Sequence, residues 1–191
     1  MDAFLVSTGL VALAEMGDRT QLLAFLLAAR YQRPAPIILA ILLATLANHA
    51  AAGALGTWLT TLLGPEALRW VLGISFIAMA AWMLKPDEID DTKAVATRFG
   101  VFGTTFITFF LAEIGDKTQI ATVALAAQYQ SLLWVVVGTT LGMMIANVPA
   151  VYVGDKLAGR LPISLIHKVA ACIFAALGIA VLLGVGESMG L

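Results

Sequence analysis

The sequence predicts an all-α membrane protein of six transmembrane helices, built as two inverted three-helix repeats. Three observations support this. The chain of 191 residues is 61% hydrophobic and only 12% charged, more apolar surface than a soluble domain of that size could cover. The apolar residues fall into six runs, each near the roughly twenty residues that a helix needs to cross a bilayer core of about 30 Å. The third observation is internal repetition. Glu15-Met-Gly-Asp-Arg-Thr-Gln21 returns 98 residues later as Glu113-Ile-Gly-Asp-Lys-Thr-Gln119, and the window Leu13–Gln32 matches Leu111–Gln130 at 12 of 20 positions. Agreement of that kind marks a duplication.

The first span is expected from about Phe4 to Ala29, the second from Ile37 to Leu63 and the third from Ala67 to Leu84. The fourth is expected from Phe99 to Ala127, the fifth from Leu132 to Leu157 and the sixth from Ile163 to Leu183. Pro34, Pro36, Pro65, Pro86 and Pro162 stand at the boundaries, where helices start or stop. Pro149 falls inside the fifth span and is expected to kink it. The polar stretch around Asp87, Glu88, Asp90, Asp91 and Lys93 is a linker (86–98) between a first repeat (1–85) and a second (99–191). With three spans in each, the second copy must enter the membrane from the opposite side, as in many inverted-repeat transporters.

Positive charge orients the chain. Arg30, Arg33, Lys85, Lys93, Arg98, Lys156, Arg160 and Lys168 lie in or beside the loops after spans one, three and five, against Arg69 on the other side. Basic loops face the cytoplasm, so both termini are expected outside it, in a multi-pass plasma (inner) membrane protein. The first run lacks a basic leader and carries Glu15 and Asp18. It therefore reads as a retained span rather than a signal peptide. Trp58, Trp70, Trp82 and Trp134 lie near span ends, as interfacial anchors or packing residues. A net charge of −1 gives no attraction to nucleic acid, so the expected partners are membrane lipid and small ions. A homodimer is compatible with this reading but not implied by it. The single cysteine, Cys172, excludes disulfides within the chain and is expected to act as a small core hydrophobe.

The duplicated motif carries the chemistry. Carboxylates in mid-bilayer are costly and mark functional sites. On an ideal helix Glu15 and Asp18 share a face, as do Glu113 and Asp116. Gly17 and Gly115 lie between them and are expected to weaken each helix, freeing backbone carbonyls. Thr20 and Gln21, with Thr118 and Gln119, add neutral oxygens. If a two-fold axis brings the copies together, four carboxylates converge. Their charge of −4, offset by Arg19 and Lys117, leaves −2. One divalent cation or two protons would cancel it, and like-charged carboxylates in a low dielectric do not all ionise together. Oxygen ligands without Cys or His suit manganese, calcium or magnesium. The bland reading pairs Glu15 with Arg19, and Glu113 with Lys117, as intrahelical salt bridges that merely neutralise charge.

Asn48 and Asn147 occur in matching settings, Ala47-Asn48 and Ala146-Asn147. Each is a candidate ligand or carboxylate partner, or else an interhelical hydrogen bond worth about 1 kcal/mol. His49 has no counterpart, since Val148 takes its place, and reads as a packing or pore-lining residue. His167 lies near a loop and carries no expected role. Ala40, Ala44, Ala47, Ala51, Gly53, Gly56, Gly138, Gly142 and Ala146 form small-residue faces suited to close helix packing in lipid. Asp155 and Lys156 read as surface charge, with a gate as the sharper alternative.

The paired E-x-G-D-[KR]-[ST] motifs, each in the first span of a three-span repeat, resemble those of the manganese/calcium cation–proton exchangers, long catalogued as an uncharacterised membrane family. The resemblance covers the whole chain and both motifs in full, Glu15 to Thr20 and Glu113 to Thr118. It implies a secondary transporter that exports a divalent metal, most readily manganese in a compact bacterial-type chain, in exchange for protons. The metal is cargo, and no cofactor is implied. Glu15, Asp18, Glu113 and Asp116 are the expected ligands, with Gln21, Gln119, Asn48 and Asn147 as candidates to complete the shell. The family lies near small exporters of amino acids and other solutes, which keeps a small-solute exporter open. A passive channel would need no proton coupling. An intramembrane aspartyl hydrolase built on Asp18 and Asp116 would have no use for the added Glu and basic residue. No nucleotide-binding loop supports ATP-driven pumping.

Overall fold

The computed structural model describes residues 1–84, 99–153 and 163–184. The polar linker and the Asp155–Lys156 pair lie outside the described residues. Among the described residues the chain forms eight helices: α1 (Asp2–Glu15), α2 (Arg19–Tyr31), α3 (Pro34–Leu62), α4 (Pro65–Met83), α5 (Gly100–Glu113), α6 (Lys117–Tyr129), α7 (Leu132–Val153) and α8 (Ile163–Leu182). The order of the first four is repeated in the second four. The regions expected as the first and fourth spans are each two shorter helices, α1–α2 and α5–α6, divided where Gly17 and Gly115 are expected to weaken them.

Glycine sets where they divide. After Glu15 the chain leaves the helix at Met16 (φ −64°, ψ 117°), turns left-handed at Gly17 (φ 81°) and is extended at Asp18 (φ −76°, ψ 164°) before α2 begins. The second copy has the same course: Ile114 (φ −65°, ψ 120°), Gly115 (φ 76°) and Asp116 (φ −76°, ψ 163°). A left-handed residue costs an L side chain roughly 1–2 kcal/mol and costs glycine nothing comparable. The break therefore sits one residue before each aspartate. Glu15 and Asp18 consequently do not share an ideal helical face; one ends a helix and the other precedes the next. Pro34 and Pro65 open α3 and α4, where a missing N–H costs no helical bond. Helix α7 runs through Pro149 without ending.

The halves interlock. Helix α1 packs along α7, α5 and α6 pack along α3, and α4 packs along α8. Small residues make this possible. A Cβ on Gly138 would lie 2.7 Å from the Phe4 carbonyl, and one on Gly142 would lie 2.6 Å from that of Thr8. In α3, Gly56 lies against the Val123 carbonyl of α6. Close backbone approach of this kind gains van der Waals contact, which drives helix association where lipid removes the hydrophobic term. One buried cluster draws on α1, α4, α6 and α8, with Leu10, Phe76, Leu125 and Phe174. Another draws on α2, α3, α5 and α7, with Leu23, Ile41, Phe109 and Val151.

Helices α3, α4, α7 and α8 are each long and apolar enough to cross a membrane. Their outward faces remain hydrophobic, with Leu39, Leu43, Ile74, Leu141, Ile145 and Ile179 among the exposed residues. An exposed apolar belt on buried polar contents is the arrangement of a multi-pass membrane protein. All four tryptophans are exposed. Cys172 is exposed on α8 and so belongs to this outer surface rather than to the core.

Candidate cation site

Both helix breaks meet inside the bundle. Glu15 ends α1, Asp18 precedes α2 and Asp116 precedes α6, and one carboxylate oxygen from each lies within 4.8 Å of the others. All three are buried, as is Glu113 at the end of α5. The half-helix termini add fixed charge. The C-terminal ends of α1 and α5 are electronegative and favour a cation, whereas the N-terminal ends of α2 and α6 stabilise the aspartates. Neither Asp18 nor Asp116 spends its side chain capping its own helix, so both carboxylates turn to other partners.

Those partners cross between the repeats. Lys117 Nζ lies 2.6 Å from Asp18 Oδ1, and Arg19 Nη2 lies 3.2 Å from Asp116 Oδ1. In place of the intrahelical pairs of the bland reading, Glu15–Arg19 and Glu113–Lys117, the structure has these bridges. The reason is the break: once the helix is interrupted, the spacing no longer brings the two side chains together. Lys117 is almost fully buried, while the Arg19 side chain keeps 38% of its exposure. Arg19 also donates to the Ala112 carbonyl at 3.0 Å.

Thr20 Oγ1 donates to Glu15 Oε2 at 2.8 Å and lies 3.5 Å from Asp18 Oδ2, tying the two carboxylates of the first motif across the break. Thr118 Oγ1 lies 3.4 Å from Asp116 Oδ2. Among the described residues, Glu15 Oε1 and both Glu113 oxygens have no hydrogen-bond partner. An uncompensated buried carboxylate is costly, so this cluster has room for positive charge.

The neutral candidates divide into two kinds. Gln21 Oε1 accepts the Gly17 N–H at 2.9 Å, and Gln119 Oε1 accepts the Gly115 N–H at 2.7 Å. In this structure those oxygens brace the breaks instead of facing the carboxylates. Gln21 Nε2 also donates to the Ala146 carbonyl of α7 at 2.8 Å. Asn48 Nδ2 donates to the Phe110 carbonyl, 3.1 Å away in the last turn of α5. Asn147 Nδ2 instead turns to its own helix, meeting the Met143 carbonyl at 3.1 Å, and its buried Oδ1 has no partner among the described residues. His49 is fully buried on α3, and neither ring nitrogen has a hydrogen-bond partner among the described residues, so it is a packing residue in this structure.

One contact was absent from the sequence reading. His167 Nε2, on α8, lies 2.8 Å from the Met16 carbonyl at the first break. The available signal was faint: an offset of 98 from His167 leads back to Arg69, the one basic residue on the minority side.

The model of the divalent cation/proton antiporter GDT1 family matches residues 3–91 and 101–188, one stretch for each half of the chain. The chain belongs to the GDT1 family. It is 54% identical over 181 residues to a Vibrio cholerae protein named "Putative manganese exporter", a match covering 94% of this chain and 90% of that one. It is 30% identical to a GDT1-like protein of Synechocystis, over 84% of this chain and 87% of the relative. A GDT1-like protein 3 of Oryza sativa is 29% identical over 84% of this chain and 66% of its own length. No solved structure matches. Membership makes the protein a divalent cation/proton antiporter and a transporter rather than an enzyme.

Proposed function

We propose that this GDT1 protein exports manganese in exchange for protons across the plasma membrane, by alternating access to a site between its repeats. The observation that carries the reading is the pair of crossed bridges, Lys117–Asp18 and Arg19–Asp116, over buried carboxylates. Four carboxylates and two cations leave a formal charge of −2. One divalent cation or two protons complete neutrality, and both cannot do so together. Competition for one deficit is the physical basis of exchange. The tethered Lys117 and Arg19 hold the aspartates while cargo is absent, and incoming metal takes their place.

Glu15, Asp18, Glu113 and Asp116 are the proposed ligands. The Asn147 Oδ1, buried and without a partner among the described residues, is the neutral oxygen best able to join them; Asn48 is its counterpart in the other half. Gln21 and Gln119 act on the breaks. An all-oxygen set selects a hard cation, and the name of the Vibrio relative favours manganese. In the membrane, α1–α2 and α5–α6 each make one broken crossing, giving six crossings in two inverted repeats, 1–85 and 99–191. The basic loops, with the linker 86–98, face the cytoplasm and both termini lie outside.

The test is flux in reconstituted vesicles, offering manganese, calcium and magnesium while internal pH is followed. Manganese entry should drive proton exit, and Asp18→Asn or Asp116→Asn should reduce it more than tenfold. Full activity in either variant contradicts the site. Metal movement without protons identifies a channel instead, and movement of calcium alone corrects the cargo.

A further inference from the structure

The geometry assigns His167 as a positioning residue for transport: it locks the peptide group at the first helix break. A carbonyl can only accept, so the 2.8 Å contact with Met16 has His167 Nε2–H as donor. The Met16 carbonyl and the Gly17 N–H belong to one rigid peptide plane. Gln21 Oε1 holds the N–H end at 2.9 Å, and His167 holds the oxygen end. With both ends held, the plane cannot rotate between Glu15 and Asp18, whose carboxylates flank it in the chain.

The second break has different surroundings. Its peptide, Ile114–Gly115, is held at the N–H end by Gln119 Oε1 at 2.7 Å. Both Ile114 and Gly115 are exposed, whereas Met16 and Gly17 are half-buried. The residue 98 positions before His167 is Arg69 on α4, so the two halves differ at this point in the sequence. The two motifs have nearly the same backbone angles, so they differ in surroundings rather than in conformation. Helix α8, which packs on both α1 and α4, carries the lock.

This inference rests on the exchange reading above, and its test separates the two. Gln at 167 carries an N–H at the reach of Nε2, whereas Asn is too short. In vesicle flux, His167→Ala and His167→Asn should raise the KM for manganese about three- to tenfold, the effect of one lost hydrogen bond. Their kcat should change less than twofold, because ground-state binding is what is lost. His167→Gln should restore the wild-type KM. An unchanged KM in the alanine variant overturns the assignment, as does a glutamine variant that behaves like alanine. Amide deuterium uptake over residues 15–22 needs no metal. It should accelerate in the Ala and Asn variants but not in Gln. Uniform uptake in all of them overturns the lock, while a wild-type protein that moves no manganese defeats only the exchange reading.

Discussion

At the scale of single residues, Lys117 distinguishes this site from a plain carboxylate cage. Its ammonium is buried against Asp18, and removing one partner of a buried pair costs about 3–5 kcal/mol, because the other charge is left uncompensated. Lys117→Met should therefore lower the thermal midpoint in metal-free detergent. Manganese should recover more of that loss than it adds to the wild type, since the ion supplies the missing charge. A midpoint that neither the substitution nor manganese moves would show that Asp18 is neutralised by something else. Arg19, more exposed and also bonded to the Ala112 carbonyl, should be the more tolerant of the two: Arg19→Met is expected to cost less than half as much in the same scan.

At the scale of elements, the broken span is the unit of function, and glycine makes it. A Cβ built on Gly115 meets nothing within 4 Å, while its φ of 76° opposes any L side chain. Gly115→Ala therefore tests backbone conformation without a clash. It should reduce flux more than tenfold while leaving helix content by circular dichroism unchanged, and Gly115→Asn should be milder because Asn tolerates the left-handed region. Equal flux in the alanine variant would remove the turn from the mechanism. The break was legible in the sequence because its cause is local, a glycine between two acids. The cross-pairing of Arg19 and Lys117 was not. Spacing of four along a helix favours Glu15–Arg19, and only the folded contact of α2 with α5 turns Arg19 towards Asp116. His167 was invisible for the same reason, lying 151 positions from its partner. Gln21 and Gln119 read as ligands because their oxygens suit a cation, yet the break itself creates the stray glycine N–H groups that claim them.

At the scale of the whole molecule, the apolar exterior makes a prediction that uses the native cysteine. Cys172 is exposed on α8, within a stretch fit to cross a membrane. A thiol surrounded by lipid is out of reach of a water-soluble reagent. A membrane-impermeant maleimide added from either side of intact vesicles should leave it unlabelled, and denaturation should release it. Labelling from one side would place that face of α8 against water. The crossed bridges have a different reach. Each half of the chain holds an aspartate whose cation is supplied by the other half. The two halves therefore depend on each other at the site, and that dependence guards both acids against loss, because an error in either half strands a charge in its twin.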